Sequence, residues 1–259
     1  MRHFTKIIFI ALLLFSCDTE DDLGSIDTAM KFSPVEHYEI NREAGAPKLY
    51  LLFESEKVFP NTGYSLKSEI DIEGNELMIR FKGISKSDFS HAMPSAVEMR
   101  IELSENISKL TLLNGNKTDR YKIEVTDKKV VVSPEKTSFS SITHASTFRY
   151  PKNSFVYLCG TNLDNKHLYE DFKKVLSELP GISYYQFQGP GLIPYPTKGD
   201  GNWYNPDALY FQYEKLADFE EAGERLRAFT KEYLKPNDGV SISLYSWDNR
   251  SYRSWKMMN

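Results

Sequence analysis

FVYLCGTNLDNKHLYEDFKKVLSELPG, residues 155–181, sets a strand directly ahead of a helix. Phe155 to Cys159 is an unbroken apolar run, the composition of a strand covered on both faces. From Asn165 to Leu179, Leu168 is followed by Phe172, Val175, Leu176 and Leu179 at offsets of 4, 7, 8 and 11, which puts all five on one helical face. Pro180-Gly181 stops that helix, because proline cannot continue it and glycine accepts the backbone conformation of a helix end. Ile182 to Gln188 and Ala208 to Glu214 then read as strands. A second helix is predicted from Asp218, with Glu221 as its capping-box partner, to Leu234, carrying Phe219, Ala222, Leu226, Phe229 and Tyr233 on one face. Pro236, Asp238 and Gly239 end it, and Val240 to Trp247 is the last strand. The order β-α-β-β-α-β predicts two helices on one face of a four-stranded antiparallel sheet.

Upstream the periodicity changes from 3.6 to 2. Lys48 to Glu54 is a candidate strand, and Ser65 to Ile72 and Glu76 to Lys82 flank Glu73-Gly74-Asn75, a hairpin turn. Val97, Met99, Ile101 and Leu103 alternate with Glu98, Arg100 and Glu102, as in a strand half covered by a core. Lys109 to Leu113, the turn Asn114-Gly115-Asn116, the alternating Tyr121, Ile123 and Val125, and Val130 to Ser133 complete about seven strands without a helix. The expected fold is therefore an all-β N-terminal domain, a β-sandwich over residues 34–133, with an open barrel as the alternative. A Ser- and Thr-rich linker follows over 134–153, then an α+β ferredoxin-like domain over 154–259.

Such a domain leaves one sheet face free of helices. In the last strand Val240, Ile242 and Leu244 are predicted to meet the helices, with Ser241, Ser243, Tyr245 and Trp247 opposite. In the first, Val156 and Leu158 are predicted toward the helices and Phe155, Tyr157 and Cys159 outward, joined there by Tyr185, Phe187 and Tyr210. An aromatic face of this kind is covered by another part of the molecule or by a second copy, or it binds a ligand. The connection from Gly189 to Asp207 is far longer than a hairpin loop and carries Tyr195, Trp203 and Tyr204 among prolines and glycines. Its rings can stack on sugars or peptide side chains, with Asp200 and Asn202 as hydrogen-bonding partners, or fold back as a lid on the sheet.

Recognisable chemistry is sparse. His37, His91, His144 and His167 have no metal-ligand spacing, so neither a metal nor another cofactor is expected. Cys159, in a buried strand, is expected to pack as a small hydrophobe. Asp200 and Asp207 are the residues an envelope hydrolase would use, if the chain is an enzyme at all. Arg250, Arg253 and Lys256 with Tyr252 and Trp255 form a basic aromatic tail, expected to pack on the domain or be solvated rather than to act as a docking motif. The formal charge of −4 argues against a nucleic-acid partner, which requires a basic face to displace counterions.

At the N-terminus Arg2 and Lys6 precede the apolar run Ile7 to Phe15, too short for the ~20 residues of a membrane-spanning helix, and Leu14-Phe15-Ser16-Cys17 closes it. This segment resembles the signal peptide and lipobox of bacterial lipoproteins, and the acidic Asp18 to Asp22 that follows is similar to the surface-export tethers of Bacteroidota lipoproteins. The resemblance implies removal of residues 1–16, lipidation of Cys17, a flexible tether over 17–33, and an outer-membrane anchor with display on the cell surface. Asp18 alone would instead read as inner-membrane retention in other bacteria, and an ordinary secretory signal with an incidental Cys17 is the remaining alternative. The function expected is binding of a glycan or protein partner by a membrane-anchored protein, with a hydrolase or a structural, assembly-forming lipoprotein as alternatives.

Overall fold

The computed structural model describes residues 24–39, 43–87, 91–199 and 202–258. The signal segment, Cys17 and the acidic residues after it lie outside the described residues, as does Asp200. The described chain is mostly β, with two α-helices.

The first half forms β1 (Met30–His37), β2 (Lys48–Phe59), β3 (Tyr64–Glu73), β4 (Glu76–Lys86), β5 (Ser95–Glu102), β6 (Lys109–Asn114), β7 (Lys117–Val125), β8 (Lys129–Lys136), β9 (Ser140–Ile142) and β10 (Ser146–Phe148). They build two sheets, ordered β5-β2-β1-β9 and β10-β8-β7-β6-β4-β3. Gly74, at a φ of +62°, turns the β3–β4 hairpin where a side chain would be strained. Both sheets contribute to one apolar core: Phe32 stacks on Phe53 at 5.2 Å between ring centroids and meets Tyr121 of the opposite sheet edge-on at 4.9 Å.

Two segments expected to be connectors are part of this structure. The chain is tied down from Ile26, whose backbone N–H and carbonyl both bond the buried Asn114 side chain, and it enters β1 at Met30. Residues 134–153 extend β8 and then supply β9 and β10, one strand to each sheet. The crossing into β9 is held by Asp119 of β7, which is wholly buried. Its carboxylate accepts from the Ser138 and Ser140 hydroxyls and from the Phe139 and Ser140 backbone N–H groups. Burial raises its pKa, but these donors outweigh burial and hold it below the ordinary value.

The second half forms β11 (Ser154–Gly160), α1 (His167–Ser177), β12 (Ile182–Tyr185), β13 (Leu209–Tyr213), α2 (Leu216–Tyr233), β14 (Ser241–Ser246) and β15 (Ser251–Arg253), then a short 3-10 turn over Ser254–Lys256. The sheet runs β12-β13-β11-β14-β15, antiparallel at every pairing. Leu168, Phe172 and Leu176 of α1 and Phe219, Ala222 and Leu226 of α2 pack on one sheet face. On that face lie Phe155, Tyr157 and Cys159 of β11, while Val156 and Leu158 point to the other side. The phase expected for this strand is thus reversed, because every residue of β11 is buried and the run from Phe155 to Cys159 holds no charged position to mark a side. In β14 the expected alternation holds, with Ile242 and Leu244 under the helices. The start of α2 also differs: Asp218 is in the first turn, and its carboxylate accepts from the Lys215 N–H at 3.0 Å.

The C-terminal residues pack rather than dangle. Tyr252 lies against α2 so closely that a Cβ built on Gly223 would come within 2.4 Å of its ring. Gly223→Ala gains about 1 kcal/mol of helix propensity but forces Tyr252 out at a cost of about 1–3 kcal/mol, so a lower melting temperature is expected. Asp119→Asn replaces an acceptor by an amide that opposes donors, and is expected to cost about 1–3 kcal/mol in urea unfolding near neutral pH. Because the Asp119 pKa is depressed when folded, its contribution is present above about pH 4 and fades as pH falls through the folded value. The stability gap between the two proteins should accordingly close on acidification.

Candidate functional site: a groove at the junction of the two halves

The sheet face away from the helices is not open. Val156 and Leu158 form a second core there with the buried Tyr195, and Phe187, Tyr210 and Tyr245 pack beside them. Residues 189–199 of the long connection lie across this face and bind it to the first half. Leu192 pairs with Thr147 of β10, and the Pro190 carbonyl accepts from the Lys129 ammonium at 2.8 Å. A run of rings crosses the junction: Tyr38 to Tyr150 at 5.5 Å, Tyr150 to Tyr195 at 4.7 Å and Tyr195 to Tyr210 at 6.0 Å.

Their hydroxyls are committed to protein acceptors. Tyr38 donates to the Trp247 carbonyl at 2.9 Å, Tyr150 to the Pro194 carbonyl at 2.8 Å, and Tyr195 to the Ser154 carbonyl at 3.0 Å. Burial raises all three pKa values, that of Tyr150 to about 12. Tyr150 is fixed by Glu36, whose side chain is 4% exposed. Its carboxylate accepts from the Tyr150 backbone N–H at 2.6 Å and from Arg149 Nε at 2.8 Å, and Arg149 also reaches Glu105 at 2.6 Å.

Against this wall lies a groove of about 810 Å³. Tyr38 and Tyr150 line it from the first half, Tyr195 and Pro196 from the long connection, and Tyr245, Ser246, Asn249, Arg250, Ser251, Tyr252, Arg253 and Lys256 from the C-terminal strands and turn. An adjoining depression of about 220 Å³ shares Pro196 and Tyr245 and continues past Ser243 and Ser241 to Gly199 and Trp255. The guanidinium of Arg253 lies 5.1 Å from the Tyr245 ring centroid and 5.8 Å from that of Trp255. Arg250 is paired with Asp248.

The residues expected to form a binding loop are separated. Tyr195 is 4% exposed and structural, contributing an edge of the groove wall. Asn202 accepts from the Ser241 hydroxyl and donates to the Gly239 carbonyl, and Tyr204 exchanges two backbone hydrogen bonds with Thr161, so both fasten the loop to the sheet end. Trp203, between them, is 88% exposed. Asp207 is exposed and paired with Lys198 at 3.2 Å. Cys159 is buried, and burial pushes its thiol up to about 11, away from nucleophilic use. Among the described residues no group of His, Cys, Asp or Glu is arranged to hold a metal, and no helix is long and apolar enough to cross a membrane.

Tyr38 and Tyr150 had no signal in the sequence, since they flank strands in segments without periodicity. The cationic rim was visible as the basic aromatic tail, but not its position opposite the long connection. Comparison of the chain with family models, curated proteins and solved structures finds no match.

Glu36 is the residue whose loss should be felt furthest. Glu36→Ala leaves the Tyr150 N–H and the Arg149 Nε without their acceptor, Arg149 keeping Glu105 through Nη1, and a loss of about 2–3 kcal/mol is expected by chemical denaturation. Near-ultraviolet circular dichroism of the tyrosines should change with it, and a silent spectrum would mean that Tyr150 is held by its ring contacts alone.

Proposed function

We propose that the chain is a lipid-anchored cell-envelope protein, displayed from the outer membrane, that binds a glycan in the junction groove between a β-sandwich and a ferredoxin-like domain. The signal-like N-terminus supports the anchor. The shared core of the first two sheets supports the sandwich. Strand order β12-β13-β11-β14 with both helices on one face supports the ferredoxin-like reading, to which β15 is an added edge.

The observation that carries the function is the groove itself. A protein partner needs about 800 Å² of complementary surface on each side, whereas this is a cavity of about 810 Å³ lined by tyrosine rings and by polar and cationic side chains, the size of a small-ligand site. Tyrosine rings offer apolar faces to the C–H surfaces of sugars, and the exposed Ser251 and the cationic Arg253 and Lys256 line the same groove as hydrogen-bonding groups. Since Tyr38, Tyr150 and Tyr195 are held by hydrogen bonds, little rotamer freedom is lost when a ligand arrives.

Isothermal titration of oligosaccharides against the purified protein tests this. Tyr245→Ala and Tyr38→Ala are each expected to weaken the best ligand by about fivefold, in line with ~1 kcal/mol for one ring contact. Trp203→Ala should leave affinity and melting temperature unchanged, because its ring touches little of the protein. Loss of binding in Trp203→Ala, with Tyr245→Ala unaffected, would move the site to the loop tip.

A further inference from the structure

We infer that the groove selects an acidic sugar, one carrying a carboxylate or a sulfate ester, and that Arg253 and Lys256 are its specificity-determining residues. This rests on the groove being a glycan site and adds the charge of the ligand. Of the three cations along the rim, only Arg250 has a carboxylate partner. The side chains of Arg253 and Lys256 have no hydrogen-bond or ion-pair partner among the described residues, and the Arg253 Nε is buried with its donor unused.

The arginine is nevertheless not loose. Its guanidinium lies near the rings of both Tyr245 and Trp255, and aromatic contact engages the face of the guanidinium. That leaves the in-plane N–H edge, the part that binds a carboxylate or sulfate through two parallel hydrogen bonds. The Nε is shielded from solvent, so the Nη groups, on a side chain that lines the groove, are the donors an incoming anion would meet. The contrast with the rest of the molecule points the same way, because two uncompensated cations share one trough in a chain of formal charge −4. A neutral sugar would leave both charges unanswered.

The experiment titrates the purified protein with three hexasaccharide probes at low and moderate salt: oligogalacturonate, a kappa-carrageenan fragment that carries sulfate esters and no carboxylate, and the neutral cellohexaose. An acidic probe is expected to bind at least tenfold more tightly than cellohexaose, with affinity falling as salt rises. Preference between oligogalacturonate and the sulfated probe then distinguishes the two anions. Arg253→Gln should weaken the acidic probe about 10- to 100-fold and Lys256→Gln about 3- to 10-fold, with cellohexaose little changed. Arg253→Lys, which keeps the charge and loses the fork, should fall between wild type and Arg253→Gln, and thermal melts of all variants separate lost binding from lost folding. Equal affinity for acidic and neutral probes, or acidic binding untouched in both Gln variants, overturns the acidic-sugar inference and leaves glycan binding standing. Binding of none of the three overturns both.

Discussion

The Glu36 carboxylate is the joint on which the two halves meet. A carboxylate removed from water is costly unless donors replace its hydration, and here a backbone N–H and a guanidinium supply them from consecutive residues, Tyr150 and Arg149. Glu36 lies near the end of β1, and Arg149 and Tyr150 follow directly on β10, so one anion closes the first half at the point where the chain leaves for the second. Tyr150 is thereby set between Tyr38 and Tyr195, and its hydroxyl reaches the Pro194 carbonyl of the long connection. Remove the carboxylate and the Tyr150 N–H loses its acceptor.

What could be read from the residues depended on whether each element shows two chemically different faces. Both helices do, and their periodic apolar positions were legible to within a few residues. The last strand does as well, since Ser241 and Ser243 mark one side of it. The strand at 154–160 does not: it is buried on both faces, and its phase was read backwards. The three-residue strands β9 and β10 are too short for any period to register, so a segment contributing to both sheets looked like a linker. Met30 to His37 was obscured differently, with Pro34 interrupting it, although Pro34 sits within the paired register of β1 and β2.

The candidate site escaped for a related reason. Its aromatic content was visible, but which rings are walls and which are filler is decided by long-range contacts. Tyr195 and Trp203 belong to the same long connection, yet one is 4% exposed and the other 88%. The difference is the anchor. Ser154, at the start of β11, faces the loop with a hydroxyl and a carbonyl that together hold the Tyr195 hydroxyl. Trp203 lies between two residues, Asn202 and Tyr204, whose hydrogen bonds fasten the backbone to the sheet end and leave the intervening ring in solvent. Neither partner is adjacent in sequence.

A division of labour follows for the groove. The hydroxyls of Tyr38, Tyr150 and Tyr195 are occupied by main-chain carbonyls, so these rings present carbon surface and shape but few free donors to a ligand. The cationic side-chain donors without a protein partner among the described residues of the groove, those of Arg253 and Lys256, lie on its opposite side, after β14. That segment is itself fixed: β15 pairs with β14, the Ser254 hydroxyl accepts from the Ile242 backbone N–H at 3.0 Å, and Tyr252 is seated on Gly223. Rigid walls from one half and rigid donors from the other make a site that neither half contains alone, and its geometry is only as precise as the junction that joins them.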